Sequence, residues 1–74
     1  MKTFVVELSH ENGFLELDVE ANDFSEILLQ YCIENGEEQL CITEKTVDIN
    51  YTISELLPDE TKAQVSSGIF QYNW

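Results

Sequence analysis

The chain contains no arginine. Three lysines are its only strongly basic residues, set against fifteen aspartates and glutamates in 74 residues. The formal net charge is −12 and the isoelectric point lies near 4.1. A surface this poor in cations is not built to neutralise phosphates, so direct nucleic-acid binding is not expected. Carboxylates at this density repel one another and oppose compactness. The imbalance points to a positively charged partner, a saline setting or a need for solubility.

Other scarcities narrow the field further. The chain has one histidine and two cysteines. His10 reads as a solvated turn residue, with no serine or cysteine placed to act with it. Cys32 lies on an apolar stripe and Cys41 on a β-like stretch. Neither has a basic neighbour that would activate it, Lys45 excepted. Two cysteines cannot staple a disulfide-rich scaffold, and both read as free thiols. No zinc spacing, EF-hand loop, P-loop or dinucleotide fingerprint is present. Carboxylate pairs can serve acid–base chemistry, but among fifteen such groups proximity arises by chance. The expectation is no catalytic residue, no metal, no cofactor and no enzyme.

No apolar run approaches the ~18 residues of a membrane span. The opening Met1-Lys2-Thr3-Phe4-Val5-Val6-Glu7 meets an acid too early for a secretory leader, which implies a cytoplasmic protein. Asn50-Tyr51-Thr52 matches a glycosylation sequon, read as chance in that compartment. There is no repeat, linker or low-complexity segment.

What the chain does have is a hydrophobic content of 43%, too high for a disordered acidic tail. The acids are dispersed, and their longest runs are the pairs Glu37-Glu38 and Asp59-Glu60. Residues 1–74 therefore read as one small folded domain with an acidic surface.

Phe4, Val6 and Leu8 alternate with Val5, Glu7 and Ser9, the period of a strand. After His10-Glu11-Asn12-Gly13 the alternation resumes, with Leu15, Leu17 and Val19 against Glu16, Asp18 and Glu20. Asn-Gly between two such runs signals a hairpin. Asp23 with Glu26 fits a capping pair, Asn22 being the alternative cap. Phe24, Ile27, Leu28, Tyr31 and Cys32 then follow one helix face, and Asn35-Gly36 suits a left-handed cap, which predicts a helix over 23–35.

Residues 39–53 return to alternation. They predict two strands around a Glu44-Lys45 turn, or one long bent strand. Pro58 suits the first turn of a short helix ending near Gly68. Residues 69–74 read as a last strand, with Phe70, Tyr72 and Trp74 on one side. The expected fold is α+β: a mainly antiparallel sheet in the order ββαββ(α)β, with one main helix packed on one face.

Two features stand out as candidate partner-binding sites. The first is the hairpin. A turn of Asn12-Gly13 alone sets Glu7 opposite Asp18; a loop of His10 to Gly13 sets it opposite Glu16. Either register opposes two carboxylates, which is destabilising. Glu16, Asp18 and Glu20 also recur every ~6.8 Å, twice the strand rise. Such a ladder imitates a phosphate backbone, with its charge every ~3.4 Å per strand. It is equally what a solvated face of an acidic protein looks like. The second feature is the terminal aromatics. Tyr72 and Trp74 are residue types favoured as interface anchors, and they serve equally well to complete a small core.

The layout of Phe4-Val5-Val6, a hairpin, Phe14 to Val19, Glu20-Ala21, a helix with Glu26 and a third strand at Leu40 to Thr43 resembles the small T7-type phage inhibitor of host RNA polymerase. Where that family carries arginines after its helix, this chain has Lys45. In length and acidity the chain is also similar to anti-restriction and anti-CRISPR proteins, several of which imitate DNA. These resemblances imply a phage or mobile-element inhibitor that occupies a basic, nucleic-acid-binding surface of a host defence or transcription protein. The alternatives are an immunity protein that neutralises a basic toxin, and an accessory homo-oligomer whose acidity reflects a saline habitat or solubility. A homodimer is left open.

Overall fold

The computed structural model describes residues 1–11 and 13–73. It is an α+β domain built on a four-stranded antiparallel sheet with strand order β2-β1-β3-β4. The strands are β1 (Lys2–His10), β2 (Gly13–Ala21), β3 (Thr46–Leu56) and β4 (Lys62–Asn73). Between β2 and β3 lie one turn of 3₁₀ helix (Phe24–Glu26) and two short helices, α1 (Leu29–Asn35) and α2 (Glu37–Leu40).

The alternation read in the first hairpin is what the sheet uses. Phe4, Val6 and Leu8 of β1 stand opposite Val19, Leu17 and Leu15 of β2. Pairing continues to His10↔Gly13, so Gly13 belongs to β2 and not to the turn, and the strands run further than a four-residue His10 to Gly13 loop would allow. This selects the register in which Glu7 faces Glu16. On the other side of β1, Val6 and Leu8 face Ile53 and Tyr51 of β3. The apolar face thus formed packs with Ile27, Cys32, Ile33 and Leu40 from the helical segment, and with Ile49 and Tyr72, into one core.

Several expectations are corrected. The helix over 23–35 is broken. Asp23 and Glu26 do form the reciprocal capping box, but it closes only the 3₁₀ turn, and Ile27 and Leu28 are extended. The break re-phases the helix. Its buried stripe becomes Cys32 and Ile33, with Leu29 packed beside them, the i, i+3, i+4 pattern started one residue later. Phe24, Leu28 and Tyr31 are left exposed. Both stripes share Cys32, and the Ile27-Leu28-Leu29 run does not choose between them.

The strand at 40–43 does not form. Leu40 closes α2, and Cys41 caps it in the left-handed conformation (φ 55°). Gly36 has φ −120° and is not the left-handed cap. A Cβ there would meet the flexible end of the Leu15 side chain. Glu44-Lys45 accordingly lies in the connection leading into β3 and does not turn between two strands.

The helix after Pro58 is a tight hairpin turn. Glu60 N–H donates to Leu57 O (2.9 Å), Leu57 N–H donates to Thr61 O (2.8 Å), and Glu60 is left-handed with φ 69°. Pro58 takes the first central position of the turn, whose φ is the same as that of a first helical turn, so the proline alone could not discriminate. Thr61 donates its hydroxyl and amide to Asp59, holding that carboxyl below its ordinary value. The last strand therefore starts at Lys62 and pairs along the whole of β3. The observed order is ββ, a helical segment, then ββ.

His10 is likewise no solvated turn residue. It is half-buried in β1, and its Nε2 hydrogen-bonds Leu40 O. A Cβ on Gly13 would meet the Leu40 backbone. The end of the first hairpin is therefore docked on the last turn of α2.

Candidate functional site

The sheet face away from the helices carries the carboxylates of the first hairpin. β2 alternates cleanly, with Glu16, Asp18 and Glu20 exposed and Leu15, Leu17 and Val19 half-buried beneath. Across the register Glu16 meets Glu7, Asp18 meets Val5 and Glu20 meets Thr3. Glu7 is half-buried and has Thr52 on its other flank. The structure thus brings Glu7, Glu16, Asp18 and Glu20 onto one face of one hairpin.

This face is not flat. Val5 and Ser54, opposed on it, are both buried. Lys62, at the start of β4, reaches Glu16 at 3.7 Å although two strands separate theirs. Neighbouring strands lie about 4.8 Å apart, so this contact needs the β3–β4 ribbon to curl over the carboxylate face. A bulge supplies the bend. Ile53 pairs with Ser66 and Ser54 with Gln64, which leaves Val65 as the extra residue. The second ion pair among the described residues is Lys2–Glu55 at 3.6 Å. Both are surface pairs, worth about 0–1 kcal/mol each, and they leave most of the carboxylates without a lysine.

The aromatic candidates separate. Tyr72 is in the core, 1% exposed, opposite Val47. Its hydroxyl donates to Glu37 Oε1 at 2.5 Å. Burial first, and then the Glu37 carboxylate, push its pKa up to about 12. It anchors the fold and is not on offer to a partner. The reason is parity: alternation along β4 places Phe70 and Tyr72 on the helix side. Trp74 lies outside the described residues.

Cys32 is buried, and that burial raises its pKa. Cys41 is exposed at the end of α2. A polar groove of about 310 Å³ between His10, Glu44, Asp48 and Gln71 assembles no metal-binding set of three ligands among the described residues.

One feature was missed by sequence reasoning. Leu28 is 69% exposed and Tyr31 is 65% exposed. With Leu17, Val19 and Cys32 they line a mainly apolar groove of about 400 Å³ beside β2. The signal was present: residues 27–33 hold more apolar side chains than one helix face can bury.

No family model, curated protein or solved structure matches the chain.

Proposed function

We propose that the protein is a small acidic binding protein, not an enzyme, which acts by occupying a basic surface of a partner protein. The observation that carries this reading is the alignment of Glu7, Glu16, Asp18 and Glu20 on one face of the first hairpin. Opposing Glu7 and Glu16 works against the fold, and a cationic partner would turn that opposition into affinity. Carboxylates in such an array steer association and set register, while apolar neighbours supply much of the binding energy. The basic surface would be the nucleic-acid site of a host defence or transcription protein, and the protein a phage- or mobile-element-encoded inhibitor. A basic toxin is the alternative target within the same chemistry.

The test compares the native protein with a Glu7→Gln, Glu16→Gln, Asp18→Asn, Glu20→Gln variant. Each is immobilised and offered a cell lysate, and the captured proteins are assayed for DNA or RNA binding with and without the protein. The native chain should capture basic proteins in a salt-sensitive way and block their nucleic-acid binding, and the variant should not. Equal capture and equal blocking by the two would sink the reading.

A homodimer has separate support. β4 is the other edge strand, and Lys62 is its one charged residue. Ile69 on it is 68% exposed. A second copy meets least repulsion there. Sedimentation at rising concentration tests this, with Ile69→Lys expected to keep the chain monomeric.

A further inference from the structure

We propose that the open edge of β2 takes up an extended basic segment of the partner as a fifth strand, its apolar side chains in the groove against Leu28 and Tyr31 and its lysines or arginines against Asp18 and Glu20. This deepens the reading of the protein as a binder of basic surfaces and rests on it.

Three observations converge on that edge. β2 is outermost in the sheet, so alternate residues turn their N–H and C=O groups outward. Among the described residues no backbone hydrogen bond from the loops or helices reaches it. On the helix side, the apolar groove runs along Leu17 and Val19 and ends on the exposed Leu28 and Tyr31. On the other side stand Glu16, Asp18 and Glu20.

A strand added here would send successive side chains to these two faces in turn. The only pattern that suits both is alternating apolar and cationic. Main-chain bonds would supply affinity and the alternate side chains specificity, the usual division in strand addition.

The same geometry argues against other occupants. A second copy pairing β2 to β2 would set one ladder of carboxylates beside another, and like charges brought together destabilise a sheet. Nucleic acid would be repelled. β4 offers an edge but carries no acid along its length, so it holds no attraction for a basic strand.

The probe is a synthetic peptide of alternating valine and lysine, as long as the nine residues of β2, followed by fluorescence anisotropy at low and physiological salt. Three changes test three parts of the proposal. Serine replaces valine in the peptide, alternate peptide amides are N-methylated, and the protein carries Leu28→Ser with Tyr31→Ser. Both protein positions are exposed, so this variant keeps the fold, as circular dichroism will register. The native pair should bind, with each change weakening it at least about tenfold, the scale of losing an interface anchor. The outward amides of β2 should also become protected from hydrogen exchange.

If all three changes leave affinity intact, charge alone binds the peptide. Edge pairing is then overturned, while occupation of basic surfaces stands. No binding of the valine–lysine peptide even at low salt also overturns edge pairing. The broader reading is decided separately, by lysate capture with the four-carboxylate variant.

Discussion

At the scale of single residues, Tyr72 shows how burial reassigns a side chain. Its ring fills the core and its hydroxyl meets Glu37. With a folded pKa of about 12 and an ordinary value near 10, the neutral phenol is favoured by folding. That contribution is fully present below pH 10 and is lost as pH rises through 12. Denaturant unfolding of the native chain should therefore weaken between about pH 10 and 12. Tyr72→Phe should remove that particular loss, and a phenolate absorbance step near 12 should vanish with it. An unchanged pH profile in the variant would place Tyr72 elsewhere. A second case is Gly13, where a Cβ would meet the Leu40 backbone, whereas at Gly36 it would meet only the mobile end of Leu15. Gly13→Ala should cost about 1–3 kcal/mol, the range for overpacking, and Gly36→Ala distinctly less. Equal effects in chemical denaturation would contradict this docking of the hairpin on α2.

Among elements, the first hairpin and the region after it behaved differently. The hairpin strands could be read because they alternate cleanly and one face is apolar throughout. The Glu7–Glu16 register follows from pairing that runs on to His10↔Gly13. Glu7→Gln should raise stability by about 0.2–1 kcal/mol by removing the opposed carboxylate. Glu16→Gln should gain less, because it also loses Lys62 at 3.7 Å, a surface pair worth about 0–1 kcal/mol. Thermal melts of the two single variants check the order; Glu16→Gln gaining as much as Glu7→Gln would mean that the ion pair contributes nothing. The helical segment was harder to read. Its helix was visible in the 3.6-residue period, but the phase was not, since Ile27, Leu28 and Leu29 each fit a buried stripe. Only contact with the sheet chose Leu29, Cys32 and Ile33. That choice exposed Leu28 and Tyr31 and created the groove beside β2.

For the whole molecule the governing quantity is charge. With a net −12 and two lysine ion pairs among the described residues, repulsion is screened mainly by salt. The Debye length falls from ~10 Å at 0.1 M to ~3 Å at 1 M. The melting temperature should rise steadily with added sodium chloride, and the rise should shrink in the Glu7, Glu16, Asp18 and Glu20 neutral variant. A flat or falling melting temperature in the native chain would show the carboxylates to be locally compensated.

By itself the sequence determined the fold class, the first hairpin with its two faces, the capping box at Asp23 and Glu26, and the acidic ladder. Each is written in local patterns of period two, in short-range capping or in composition, which need no distant partner. The tertiary structure decided the rest. It turned 40–43 from strand to helix end, because Leu40 is buried against the sheet and His10 holds its carbonyl. It drew residues 62–68 into β4, because β3 offered eleven residues of edge to pair with. It also placed Tyr72 in the core while leaving Leu28 and Tyr31 outside. Those outcomes depend on which surfaces meet across the sheet, and a one-dimensional pattern with two equally good phases carries no information about that.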